Sequence, residues 1–151
     1  MPKLDISAIP KRQGSSYPAP FAALAAGRIK QALGNAAGLH DFGVNLVHLP
    51  PGGWSSQRHW HSGEDEFVCI LSGELVLVTG GGEALMRPGD CAAFARNDPD
   101  AHHFINRGSV TAIYLEVGSR NPDDVCSYPD IDLHLDKKKG GFTHKDGTPY
   151  A

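Results

Sequence analysis

The chain has 151 residues, 40% of them hydrophobic and 21% charged, with a formal net charge of -3. That is one domain's length with room for a core, and the charge balance excludes the clustered Lys and Arg that a nucleic-acid or anionic-membrane partner demands. The one basic run, Lys137-Lys138-Lys139, is short and sits between Asp136 and Gly140, which makes it a solvated turn.

In chain order, residues 1 to about 27 are irregular, broken by Pro10, Pro18 and Pro20, with a helical turn expected over 22–26. Residues 28–33 suit helix or strand, and the run of strand-like segments after them favours strand. Phe42 to Leu49 alternates and stops at Pro50-Pro51-Gly52-Gly53, which predicts a strand closed by a hard turn. Glu66 to Leu71, then Ser72-Gly73, then Glu74 to Thr79 predict a tight hairpin. Gly80-Gly81-Gly82 makes the next turn, and short strands come next at Glu83–Arg87 and Cys91–Phe94. His102, Phe104 and Asn106 share one strand face, and Val110 to Val117 is the last clear strand. Beyond Asn121 the chain is polar, with one further edge strand or arm expected where Ile131, Leu133 and Leu135 alternate. Eighteen glycines and 11 prolines agree with many short strands, and such spacing argues a sandwich or small barrel.

Cys69, Cys91 and Cys126 show no CxxC spacing, and the first two lie in apolar runs as small buried hydrophobes. With no apolar leader or long apolar run, the expected location is the cytoplasm with reduced thiols.

Chemistry concentrates between Gly53 and Gly73. His59 and His61, one residue apart, point the same way on an extended strand. Glu66 comes next, and His102 arrives several strands later. Imidazoles and a carboxylate converging in a small domain point to one divalent metal ion. Three imidazoles and a carboxylate suit Fe, Mn, Ni, Zn, Co or Cu alike. On a six-coordinate ion they leave two positions open, a catalytic layout.

These residues carry a resemblance to the cupin family. Gly53, five residues, His59-Trp60-His61, four residues, Glu66, six residues and Gly73 match its first motif without a gap. The second motif is similar at Gly82, Pro88 and His102-x3-Asn106, but a longer loop separates Pro88-Gly89-Asp90 from His102. His103 stands beside it as an alternative ligand; His102 keeps the Asn spacing. The resemblance implies a single all-β cupin domain, a jelly-roll-like double-stranded antiparallel barrel with extended arms. It implies a metal held by His59, His61, Glu66 and His102, with residues 1–41 as N-terminal arm and leading strand, 42–117 as barrel core and 118–151 as C-terminal extension. Cupins commonly pair through such arms, so a homodimer is expected.

The first functional expectation is an enzyme using the metal as Lewis acid on a small oxygen-rich metabolite, of sugar-phosphate isomerase, dioxygenase or lyase type. Candidate acids and bases are His48, Gln57, His103, Tyr114 and Glu116. A sugar phosphate would want a cation at the mouth, for which Arg58, Arg96 and Arg107 are candidates. The alternative is a non-enzymatic sensor or storage module, which predicts a cavity plugged by Phe94 and Phe104.

Overall fold

Alternating apolar residues need a sheet face to bury, and the computed structural model, which describes residues 3–150, is built almost wholly from strands. In chain order these are β1 (Lys11–Gln13), β2 (Ile29–Ala32), β3 (Phe42–Leu49), β4 (Trp60–His61), β5 (Glu66–Ser72), β6 (Leu75–Thr79) and β7 (Gly82–Met86). Then come β8 (Cys91–Phe94), β9 (His103–Ile105), β10 (Ala112–Ser119), β11 (Val125–Tyr128), β12 (Leu133–Asp136) and β13 (Phe142–Thr143). Helix is confined to single turns, among them α1 (Ala19–Ala22) and α2 (Leu33–Ala36). No helix among the described residues is long and apolar enough to cross a membrane.

A six-stranded antiparallel sheet runs β1-β2-β3-β10-β5-β8. Opposite it lie two smaller sheets, β7-β6-β9 and β13-β12-β11-β4. Bridging pairs His59–His102 and Trp54–Ile105 knit the 54–61 segment to β9, so the smaller sheets act as one broken wall. The result is a jelly-roll-like sandwich, not a ring of strands closed by hydrogen bonds.

Period-two burial positions the site. From β3, β5 and β10, the residues Val47, Leu49, Val68, Ile70, Ala112 and Tyr114 pack on Leu75, Met86 and Phe104 of the opposite wall. The same faces carry Asn45, Glu66 and Glu116 toward the open end, because Glu116 pairs with Asn45 on one side and Val68 on the other. The strand preference at 28–33 holds for β2, whose buried Gln31 donates both amide hydrogens to Ile6 O and Ile9 O at 2.8 Å, fastening the N-terminal segment. Buried Asn106 donates to Leu49 O and Val110 O and accepts from Gly108 N–H, so the motif asparagine ties turns together.

Three expectations need correction. Glu66–Thr79 is not a hairpin: β5 pairs with β10 and β8, whereas β6 pairs with β7 and β9. The chain changes sheets at Gly73, whose φ of 73° and close approach to Ala112 make a corner where a Cβ would stand 2.8 Å from Ala112 Cα. Cys91 is exposed and Cys69 half-buried, opposite one another on the outer face of β5 and β8; Cys126 is the buried thiol. The C-terminal residues supply β11, β12 and β13 where one edge strand was expected, and β12 lies between the other two. Their inner face packs with Tyr17, Phe21 and Tyr150 into a second apolar cluster beside the site.

Candidate metal centre

The 54–61 segment fixes two histidines before any ion is considered. His59 N–H donates to His102 O at 3.1 Å and His102 N–H to His59 O at 2.9 Å, which sets their rings 4.9 Å apart. His61, on β4, stands edge-on to His59 with ring centroids 5.0 Å apart. Glu66 opens β5, held between Gly118 of β10 and Phe94 of β8. Its carboxylate is the hub: His102 Nε2 lies 2.8 Å from Oε2, His59 Nε2 3.7 Å from Oε2 and His61 Nε2 3.6 Å from Oε1.

The groups around these residues fit a metal ion. Glu66 Oε2 is buried with no side-chain donor but the surrounding imidazoles near it, His102 Nε2 lying 2.8 Å away. His59, Glu66 and His102 each offer a ligand atom within 4.8 Å of the others, close enough to share one cation. His59 Nδ1 lies 2.8 Å from Gln57 O, which can only accept, so the proton sits on Nδ1 and Nε2 keeps its lone pair. His61 Nδ1 donates to Asp124 Oδ2 at 2.7 Å, which turns Nε2 toward Glu66. Asp124 is fully buried, accepts from Gly63 N–H at 2.9 Å through its other oxygen, and has Lys137 Nζ at 3.4 Å. A carboxylate behind a ligating histidine orients the ring and raises its basicity. His102 has no partner for Nδ1; Phe94 holds its ring by stacking at 3.4 Å.

Electrostatics follow the same geometry. Burial would lift the Glu66 carboxyl, but the imidazoles of His102, His59 and His61 outweigh it and hold the pKa well below the usual carboxylate range. Burial lowers the His61 pKa, yet Glu66 and Asp124 overcome it and raise it to about 9. At His102 burial prevails over Glu66 and the pKa falls. The Cys126 thiol, whose Sγ lies within 4.8 Å of ligand atoms of His59 and His61, is pushed up to about 12, chiefly by burial.

A cavity of about 500 Å³ opens above the four residues, lined also by Arg28, Lys30, Tyr114, Glu116, Arg120 and Tyr128. Of the candidate acids and bases, Tyr114 and Glu116 line it. Glu116 Oε1 accepts from Lys30 Nζ at 3.2 Å and Asn45 Nδ2 at 3.4 Å. Burial, and then Glu116, push the Tyr114 phenol well up, against the pull of Arg28.

The other candidates lie elsewhere. His48 pairs with Ile113 and Ile29 on the outer face of the large sheet. The Gln57 side chain donates to Phe21 O at 2.9 Å. His103 turns to Ser56 O at 3.1 Å and packs edge-on against Trp54. Arg58 and Arg107 are spent on Asp130 and Glu83, and Arg96 is exposed outside the cavity. Phe94 and Phe104 pack against the core cluster and leave the cavity open. Asp124 and the Gln57 carbonyl are the supports missed from sequence; no motif spacing marks a carboxylate 63 residues beyond the histidine it orients.

Comparison with known proteins identifies the family. Residues 45–118 match the family model described as Cupin domain. A crystal structure from Silicibacter pomeroyi, described as a sugar phosphate isomerase from a cupin superfamily, is 48% identical, with 99% of this chain and 97% of that one covered and a TM-score of 0.93. The chain belongs to the cupin superfamily. A second structure, from Acidithiobacillus ferrooxidans and provisionally named a sugar phosphate isomerase, is 32% identical over 78% of this cupin and 74% of that chain, with a TM-score of 0.73. A polyketide cyclase from Streptomyces resistomycificus shares the fold alone at 19% identity, covering 79% of each chain at a TM-score of 0.64. None of the curated proteins matches this cupin significantly.

Proposed function

We propose that this cupin is a metal-dependent isomerase of a sugar phosphate, with His59, His61, Glu66 and His102 holding one divalent transition metal ion. The observation that carries the reading is one cavity containing both the His/Glu cluster and an independently held carboxylate, Glu116. The name given to the 48%-identical Silicibacter pomeroyi protein supports the choice of isomerase. Bound there, the ion would supply Lewis acidity to a substrate carbonyl or hydroxyl oxygen.

Glu116 is the proton carrier in this reading. Its strand neighbour is Val68, which makes Glu66 its diagonal neighbour at roughly 7–8 Å between Cα atoms. A substrate oxygen at the Glu66 end therefore leaves the adjoining carbon within reach of Glu116. The carboxylate takes a proton from the carbon beside the carbonyl and returns it to the former carbonyl carbon. The hydroxyl proton crosses to the carbonyl oxygen, so atoms and charge balance. Lys30 and Asn45 keep the carboxylate in place between the two transfers.

The test is exchange of substrate carbon-bound hydrogen with deuterated water across a panel of aldose and ketose phosphates. Exchange and interconversion are expected with wild type, and Glu116→Gln loses both while retaining its metal. No exchange with any member by metal-replete enzyme overturns the reading. Elemental analysis of protein purified without added metal should find close to one transition metal per chain, and a metal-free wild type would refute the ion.

The protein is further proposed to act in the cytoplasm as a homodimer. Exposed Phe42, Phe67 and Leu71 share the outer face of the large sheet with half-buried Val44, Leu46 and Val117, an apolar surface suited to a second copy. A monomeric mass by light scattering would refute the dimer.

A further inference from the structure

Most charges on the cavity wall are paired, and of the two arginines left without a carboxylate Arg120 is exposed and Arg28 is half-buried. Glu116 faces Lys30, and Glu64 and Asp124 face Lys137. Glu66 faces the imidazoles. Arg28 has no carboxylate within ion-pair reach among the described residues, although it lies half-buried on the cavity wall. Its guanidinium is held rigidly instead, Nη1 donating to Ser55 O and Nη2 to Gly14 O at 3.3 Å. Neutral carbonyls fix its direction without neutralising it, and a shielded charge left so is costly unless an anion joins it.

Two neutral donors share this wall. Ser15 Oγ, Arg28 Nε and Tyr114 Oη are all buried without a hydrogen-bond partner, and all three residues line the cavity. Ser15 follows Gly14, whose carbonyl Arg28 holds. His48 Nδ1, Glu66 Oε2 and His102 Nδ1 are the other side-chain atoms left so among the described residues. Three unsatisfied donors against one wall make a site short of acceptors.

The register gives this site a place in the reaction. On β10 the inward residues run Gly118, Glu116, Tyr114, and Gly118 pairs with Glu66. The position opposite Glu66, then Glu116, then Tyr114 thus succeed one another at roughly 7 Å steps along β10, which sets Tyr114 two steps from the His/Glu cluster. We propose that Arg28, with Ser15 and Tyr114, is the subsite for the phosphate end of the substrate, holding it at the far end of the cavity from the His/Glu cluster. A phosphate monoester offers three terminal oxygens and about two negative charges, which suits a guanidinium fork with two hydroxyl donors better than a neutral hydroxyl would. The proposal rests on the isomerase reading for the rest of the substrate, but the subsite is tested without catalysis.

The probe is inorganic phosphate titrated into metal-free protein, so that no ion competes for it, with binding read by calorimetry or phosphorus NMR. Wild type should bind, and Arg28→Gln should weaken binding by at least about tenfold, the worth of one charge-assisted hydrogen bond. Arg120→Gln is the control: that arginine lines the cavity but is exposed and bonded to Leu39 O and Asn35, and its loss should leave the affinity within about twofold. Should Arg28→Gln fail to fold, Ser15→Ala removes one hydroxyl alone and should weaken phosphate measurably. Absent binding to wild type, or affinity that follows Arg120 and not Arg28, overturns the subsite. With metal restored, Arg28→Gln should raise KM for the sugar phosphate far more than it lowers kcat, and should narrow the preference over the unphosphorylated sugar. Phosphate binding that depends on Arg28 without isomerisation sinks the isomerase reading alone; isomerisation with Arg28-independent phosphate binding sinks the subsite alone.

Discussion

Asp124→Asn is the sharpest probe of the metal centre, because it changes one oxygen for nitrogen at a fully buried position. In the native protein Oδ2 accepts the His61 Nδ1 proton at 2.7 Å and Oδ1 accepts from Gly63 N–H at 2.9 Å. Asparagine can keep only one of these acceptors. If its oxygen stays with Gly63, its NH2 faces Nδ1 and drives the His61 proton to Nε2, where it blocks the lone pair a cation needs. If its oxygen stays with His61, the NH2 opposes the Gly63 donor. Both outcomes also remove the negative charge that makes His61 a stronger base. Partners of this kind are worth about 10- to 100-fold in metal affinity, or about 1.4–2.8 kcal/mol. Competition of the metal-free protein against a chelating indicator dye measures the loss directly, and thermal melting of the same samples shows whether the fold persists. A correctly folded Asp124→Asn protein with wild-type affinity would refute the reasoning.

Other variants and reagents probe neighbouring parts of the molecule. His61→Ala should lose the metal, read by elemental analysis, yet melt near the metal-free wild type, because the apolar strands carry the fold; global unfolding would mean the ion is structural. Gly52 and Gly73 have similar positive φ, 79° and 73°, but only at Gly73 would a Cβ meet backbone, 2.8 Å from Ala112 Cα. Gly52→Ala should therefore cost about 1–2 kcal/mol in urea unfolding, and Gly73→Ala clearly more; equal costs would show that no tight corner exists there. Cys91 is exposed, although the neighbouring Cys69 thiol raises its pKa, whereas burial pushes the Cys126 thiol up to about 12, so thiol reagent at pH 8 should label Cys91 first and Cys126 only after denaturation. Rapid labelling of Cys126 in folded protein would refute its shielding in the cavity wall.

Much of the fold and the site was legible in the residues, for identifiable reasons. Phe42–Leu49 and Cys91–Phe94 are strands with the bounds their alternation and flanking turns suggest. The His59-Trp60-His61 spacing with Glu66 and His102 marks a cluster because alternation and cross-strand pairing bring those residues together. What escaped depends on partners far away in sequence. Ser72-Gly73 announces a turn but not which sheet receives the next strand, and the neighbour that decides it is Ala112. Arg58 and Arg107 look as available as Arg28 until Asp130 and Glu83 are found beside them. Cys91 occupies an apolar run yet faces outward, because one residue of phase sets the face. Asp124 sits in a polar turn that resembles any other, and only the fold shows it behind His61.

The opposite wall has a consequence for how such a protein can change. The histidines and Glu66 lie between Gly53 and Ile105, whereas Asp124, Cys126 and Tyr128 reach the cluster from β11 and the turn leading into it, and β11 meets β4 through two residue pairs. The candidate ligands and the buried carboxylate that orients His61 are thus inherited on separate stretches of chain. A lineage could retune the strength of the grip by substitutions in β11 and its leading turn, while every residue of the two cupin motifs stayed as it is.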